Sequence, residues 1–459
     1  MPKALSNKET YIFESAPIGK AIATLALPTI ISQIITMIYN LADTWYIGQL
    51  GDNNQVAAVT IAYPAFIGLT AIANLFGIGG GSLISGALGR GDYNLVKKLS
   101  SFCFWAAVGV TAIISTGAFA GGKSFMMLLG ADANTLPYVH DYLFWTFVIG
   151  GIPTVLNMLL AHLVRAVGAS KQAAIGMSLG GILNIVLDPL FIFSWGFGMN
   201  IAGAALATCI SNVVATCYFL LFFWKKRRET VLSLHPRYFR CGIKTAGQVF
   251  YVGIPSALQV FLSVVSNAVL NNLMSVYTST AVAALGIVKK IDMIPTNIVQ
   301  GLSNGVLPLL AYSHGSGNRK RMNLTLKYSL IICIIFTGAC LACLELFAPE
   351  LVRSFINQPA TITYGASFMR LHCMAMPFIS ITLLFTAVFQ ATDQGGKALL
   401  LSLFRKGIID LPLMILMNIL IPMTGLMVVQ PTLDFLCAAI AVAMYLFPSR
   451  RNIRQNTKE

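Results

Sequence analysis

Twelve long apolar runs, separated by short loops, constrain this chain more than any other feature. They fall near 21–48, 54–85, 100–121, 138–163, 172–195, 201–224, 247–276, 281–312, 326–347, 362–389, 398–421 and 424–447. A helix needs about 20 predominantly apolar residues to cross the hydrocarbon of a bilayer. Several runs exceed that length, which predicts tilted or bent helices. The chain is 56% hydrophobic and 10% charged, against about 25% charged in a soluble domain. Lipid is therefore its main solvent, and the fold class is all-α integral membrane with twelve transmembrane helices.

The net charge of +15 does not read as a nucleic-acid surface, because the basic residues sit in short loops between apolar runs. They also sort by side. Arg90, Lys97 and Lys98 follow run 2; Arg165 and Lys171 follow run 4; Lys225 to Arg228, Arg237, Arg240 and Lys244 follow run 6. Arg319, Lys320 and Arg321 follow run 8, and Lys397 follows run 10. The amino-terminal tail carries Lys3, and the carboxy-terminal tail carries Arg450, Arg451, Arg454 and Lys458. The opposite loops hold little beyond Lys123 and Arg353. Cytoplasmic loops carry the excess of lysine and arginine, so both termini are expected in the cytoplasm. No cleaved leader is expected, since the first twenty residues are mixed polar and lead into a run too long for one. The cysteines, nine in number and scattered through apolar runs, read as small buried hydrophobes rather than a disulfide framework.

The chain repeats itself. Pro28 and Asn40 match Pro255 and Asn267 at a shift of 227, and Val56 to Val59 matches Val282 to Leu285 at 226. Gly89-Arg-Gly91-Asp92 matches Gly315-Ser-Gly317-Asn318 at 226, Pro153 matches Pro377 at 224, and Asp188 matches Asp410 at 222. Two parallel six-helix repeats follow, because six spans return each half to the side it started from. The expected division is an amino-terminal lobe over 1–228, a cytoplasmic linker over 229–246 and a carboxy-terminal lobe over 247–459. Ligand sites in such folds lie within or between the repeats.

Two aspartates inside apolar runs are the sharpest chemical signal. A carboxylate at the bilayer centre costs roughly 2.5–3.5 kcal/mol on insertion scales and marks an ion or proton pathway by default. Asp188 closes the segment Asn184-Ile-Val-Leu-Asp188-Pro189, in which Asn184 and Asp188 share a helical face. Pro189 cannot donate to the carbonyl of Ile185, so a kink is expected beside the two oxygen-bearing groups. Asp43 follows Tyr39 by four residues and Asn40 by three, so all three can face one cavity. If Asp43 and Asp188 meet, they can hold a proton or a sodium ion; each can equally be a structural carboxylate at a helix end. Thr208 either adds a hydroxyl to that site or bonds its own turn. In the second half, Lys289, Lys290 and Asp292 interrupt run 8, with Lys289 and Asp292 spaced to pair, and Asp410 stands near Arg405 and Lys406. These second-half groups read either as structural ion pairs or as coupling groups.

Methionines and aromatics in number can line a pliable cavity for organic cations. No G-x-x-x-x-G-K-[ST] loop is present, so no ATP engine is recognisable. The histidines show no metal spacing and no nucleophile motif appears, so an enzyme is not expected.

The segments Asp43-Thr-Trp-Tyr-Ile-Gly48, Ser85-Gly-Ala-Leu-Gly-Arg-Gly-Asp92, Arg165-Ala-Val-Gly168 and Leu183-Asn-Ile-Val-Leu-Asp-Pro189 together resemble the multidrug and toxic compound extrusion (MATE) transporters. The resemblance is nearest to their bacterial DinF-like and MepA-like branches and covers nearly the whole chain. It implies a V-shaped bundle of two lobes, in a bacterial plasma membrane, that exports cationic amphipathic compounds in exchange for H⁺ or Na⁺ without another cofactor. It implies a cation site at Asp43, Asn184 and Asp188, with Thr208 and Tyr39 beside it. An acidic residue that some relatives carry in span 7 has no counterpart here, leaving Lys290, Asp292 and Asp410 as second-lobe candidates. A monomer is expected. The alternatives are a lipid-linked saccharide flippase of a related branch, which predicts a large cationic cavity and often extra spans; a membrane-embedded enzyme, which needs paired catalytic groups at one face; and a channel.

Overall fold

No water reaches the backbone in hydrocarbon, so each apolar run must close its hydrogen bonds within itself as helix. The computed structural model, which describes residues 7–227 and 229–447, is built in this way. Lys3, Arg228, Arg450, Arg451, Arg454 and Lys458 lie outside the described residues. Twelve helical spans follow in chain order. Span 1 is Ile18–Gly48, span 2 Asn53–Gly89, span 3 Tyr93–Leu128, span 5 Ser170–Ile192 and span 6 Asn200–Lys225. Span 7 is Ile243–Ser275, span 8 Ser279–Gly315, span 9 Arg319–Leu346 and span 12 Thr424–Leu446. Span 4 joins Leu136–Leu143 to Gly151–Ala166, span 10 joins Pro359–Cys373 to Met376–Ala391, and span 11 joins Gly395–Leu403 to Asp410–Leu420.

Spans 4 and 10 bend by 49° and 41°. The bends fall just before Pro153 and Pro377, the pair that matches between the repeats, and each proline sits in the first turn of the continuing helix, where its missing N–H costs nothing. Eight helices are apolar and long enough to cross a membrane unaided, and the two bent pairs bring the number to ten. The remaining two are span 8, which carries Lys289, Lys290 and Asp292, and span 11, which is broken by a π turn over Phe404–Ile408. The helix of span 5 runs through Pro189 and stops one turn later at Ile192.

The two six-helix halves meet through equivalent crossings. Span 2 crosses span 7, where a Cβ on Gly79 would strike the carbonyl of Val249 and one on Gly253 the carbonyl of Leu75. Span 1 crosses span 8, where a Cβ on Gly301 would strike Ile30 and one on Gly305 would strike Ala26. A shift of about 226 turns one crossing into the other. On the axis between them, the repeated glycines touch directly: Gly89 lies against Tyr312 and Gly315 against Gly86. Glycine lets backbones approach closely where lipid supplies no hydrophobic drive for association. The hydrogen bond from Ser82 Oγ to the Gln390 carbonyl (2.7 Å) reinforces this contact.

The short helix Asn7–Glu14 clasps the same end. Phe13 is fully buried, stacked on Tyr312 of span 8 with ring centroids 4.6 Å apart and packed against Gly168 at the end of span 4. The Tyr312 hydroxyl donates to Glu14 Oε1 (2.6 Å), and Arg321 donates to the carbonyls of Ile12 and Ala16. All these contacts lie at the ends of the spans that carry the basic loops.

A methyl group at Gly315 must push backbone against backbone. Gly315→Ala is expected to lower stability by roughly 1–3 kcal/mol, read as a lower melting temperature in detergent. Gly109→Ala, which meets open space, should change it by less than about 0.5 kcal/mol. Equal melting of the two variants would mean that the crossing is slack.

Candidate functional site: a buried carboxylate–amide cluster

Span 5 approaches span 1 through Gly181, whose missing side chain leaves room for Ile35 and Tyr39. This contact brings the carboxy-terminal halves of the two helices together. Asp43 lies five residues before the end of span 1 and Asp188 four before the end of span 5. At 1.5 Å per residue, both sit within about 8 Å of the helix ends opposite the basic loops, rather than at the bilayer centre.

Asp188 is fully buried and Asn184 is 2% exposed. One Asn184 amide nitrogen serves two acceptors, Asp188 Oδ1 at 3.1 Å and Thr208 Oγ1 of span 6 at 3.2 Å. Thr208 thus faces the cluster. Asp43 and Asp188 lie within electrostatic reach of each other, and Tyr39 and Tyr142 lie within reach of both. Three buried oxygens here have no hydrogen-bond partner: Asp43 Oδ1, Asn184 Oδ1 and Asp188 Oδ2. Buried polar atoms are nearly always paired, so three orphans from three neighbouring side chains form an acceptor-only nest. Such a nest suits a hard cation or protons, both of which take oxygen partners. Among the described residues no three His, Cys, Asp or Glu side chains converge as a transition-metal site requires.

The cluster backs onto a cavity of about 220 Å³, partly open to solvent. Tyr39, Asn40, Asn184 and Thr208 reach its wall, while Asp43 and Asp188 stand behind it. Three further residues extend the site and were not singled out in the sequence. Asn212 donates to the Thr208 carbonyl (3.0 Å) and accepts from Asn157 Nδ2 (2.9 Å), and Tyr142 approaches the two carboxylates. The signal for Asn212 was its i+4 spacing from Thr208, which puts both on one face.

The second half holds its own polar cavity of about 470 Å³, partly open to solvent. Asp292 lies in its wall with His372 Nε2 at 3.6 Å and Thr296 Oγ1 at 3.4 Å. It does not pair with Lys289, as the spacing had suggested; Lys289 donates instead to Asn271 (3.0 Å). Lys290 is exposed and outside this wall. Asp410 is fully buried behind the cavity, and neither of its oxygens makes a hydrogen bond of good geometry. The expected partner of Asp410 is taken elsewhere: Arg405 donates to Asp434 of span 12 at 2.7 Å in a buried ion pair. Asp434, a single acid in an apolar run, was missed.

Two stretches of the chain, residues 28–190 and 255–416, match the MatE family model. The chain belongs to this family. The two matched stretches begin at Pro28 and Pro255, the pair that opens the internal repeat. This MATE-family chain is 31% identical to the multidrug export protein MepA of Staphylococcus saprophyticus over 450 residues, 98% of each protein. It is 30% identical to a MepA of Staphylococcus aureus over the same share. Its fold is that of a MATE crystal structure in complex with MaL6, at TM-score 0.89 and 23% identity over 99% of this chain and 100% of that one. An outward-facing multidrug resistance MATE transporter superposes at TM-score 0.87, with 23% identity over 96% and 97%. The protein is a multi-pass membrane transporter, not an enzyme.

The shared amide makes a stability prediction. Asn184→Leu leaves both Asp188 Oδ1 and Thr208 Oγ1 without their donor and is expected to cost about 1–3 kcal/mol. Thr208→Val removes one acceptor and should cost less. Thermal melting of the two purified variants should rank them in that order; the reverse order would deny the amide its bridging place.

Proposed function

We propose that the protein is a secondary antiporter that exports cationic amphipathic compounds from the cytoplasm of a bacterium in exchange for H⁺ or Na⁺. The observation that carries this reading is the set of orphaned oxygens on Asp43, Asn184 and Asp188, next to a polar-lined cavity that opens to solvent. The coupling ion occupies those oxygens in one state and leaves them in another. Tyr39 and Thr208 position them. Two carboxylates so close cannot both stay charged at low cost, so loading the ion and loading an organic cation compete for the same negative charge.

In this reading the lobes, 1–228 and 247–459, act as the moving bodies, the segment 229–246 joins them, and both termini face the cytoplasm. The glycine crossings then lie on the cytoplasmic side and the cavities open outward. The linker is strapped to span 3, where Ser100, Ser101 and Trp105 donate to the carbonyls of Ser233, His235 and Leu234. The chain functions as a monomer within the bilayer. Coupling is assigned to the first half; of the second-half candidates, Asp292 and Asp410 border the other cavity and Lys290 does not.

Efflux from proteoliposomes tests the reading. Asp43→Asn and Asp188→Asn are each expected to abolish gradient-driven export of a fluorescent organic cation, with membrane insertion unchanged. Imposing proton and sodium gradients separately identifies the ion. Normal export by both variants would sink the role of the cluster.

A further inference from the structure

Arg165 is buried at the seam between the two halves and lacks a counter-charge. It stands one residue before the end of span 4, is 3% exposed, and forms no ion pair within 4.0 Å with any described carboxylate. A guanidinium carries five N–H donors. Those of Arg165 find two partners, His162 Nδ1 at 3.2 Å and the Met177 sulfur at 3.6 Å, and Nε finds none. A thioether is a weak acceptor. A charge taken out of water and left unpaired is strongly destabilising, so this guanidinium calls for a partner of opposite sign.

A cavity of about 10 Å³ lies against it, with spans 2 and 4 of the first half on one side and Asn304, Leu307 and Pro308 of span 8 on the other. Its polar wall offers donors. The contact with Arg165 makes His162 Nδ1 an acceptor, so the ring proton sits on Nε2. Asn304 Oδ1 already accepts from Gln300 Nε2 at 3.2 Å, which leaves the amide N–H groups of Asn304. No aspartate or glutamate lines the cavity. Gly77 keeps the space open, since a Cβ there would come within 2.8 Å of His162 Cδ2, the ring carbon next to Nε2. The volume is about that of one water-sized particle, which shuts out a phosphate, a carboxylate-bearing molecule or a drug. A water molecule would engage the donors and leave the charge unmatched.

We propose that a single monatomic anion, chloride, occupies this cavity, held by Arg165 from the first half and Asn304 from the second. The inference goes beyond the export reading and does not depend on it, because the site needs only the seam that the glycine crossings build. Its donors come from both halves, so the bound anion stabilises the arrangement in which they meet. The site is distinct from the carboxylate cluster, where the unpartnered atoms are acceptors and the expected guest is a cation.

Two measurements test it on the full-length protein. Crystals grown in sodium bromide should show an anomalous difference peak between the Arg165 guanidinium and the Asn304 amide; a water molecule there, without anomalous signal, overturns the proposal. In detergent, replacing sodium gluconate stepwise by sodium chloride at constant ionic strength should raise the melting temperature along a saturating curve, as a ligand that binds only the folded state does. Asn304→Leu should raise the half-saturating chloride concentration at least about threefold. Arg165→Gln should abolish the saturable rise, and Arg165→Lys should keep part of it. No rise in the unaltered protein, a rise linear in concentration, or the same curve in every variant each overturns the proposal. Where Arg165→Gln does not fold, the bromide map and Asn304→Leu decide.

Discussion

Close approach of backbone to backbone at a few glycines sets the shape on which the rest of this protein depends. Lipid gives two helices no hydrophobic reason to associate, so the halves are held where dispersion contact is densest. That place is the pair of crossings at Gly79 and Gly253 and at Gly301 and Gly305, with Gly89 and Gly315 between them. These contacts lie at one end of the spans. The opposite ends are left to polar cavities, and the carboxylate cluster sits at that open end because span 5 reaches span 1 through Gly181. The internal repeat explains the economy: one sequence pattern, used twice, supplies both faces of the contact.

Much of this architecture was legible in the residues. Pro28 with Pro255, Pro153 with Pro377, and the Gly-x-Gly ends of spans 2 and 8 marked the repeat, and the structure puts those positions at equivalent first helices, equivalent bends and a mutual contact. Asn184 and Asp188 could be placed together because an i, i+4 spacing is local. What spacing could not give was tertiary: that Asn184 spends its amide on Thr208, that Asn157 on span 4 joins Asn212, and that Arg405 chooses Asp434 on span 12 over Asp410 on its own span. The same limit applies to Lys289 and Asp292. Their spacing permits a pair, but each finds a partner on another helix, Asn271 and His372. Within a bundle, the neighbouring helix offers buried dipoles and charges that a local rule does not see.

The repeat copies geometry but not charge. Asp188 and Asp410 are matched positions, and both are fully buried. Around Asp188 the neighbours are an amide, a hydroxyl and a second carboxylate. Around Asp410 they are the Ser266 hydroxyl, Lys406 and, beyond it, the Arg405–Asp434 pair. The same backbone therefore holds a nest of unpartnered acceptors in one half and, in the other, a mixed set of basic and acidic groups, Lys289, Arg405 and Lys406 with Asp292, Asp410 and Asp434. A symmetric pair of acidic sites would bind two like ions. The two cavities instead differ in make-up: no lysine, arginine, aspartate or glutamate lines the first, and groups of both signs line the second. The glycine contacts keep the two crossings equivalent, while the matched positions Asp188 and Asp410 stand in different electrostatic surroundings.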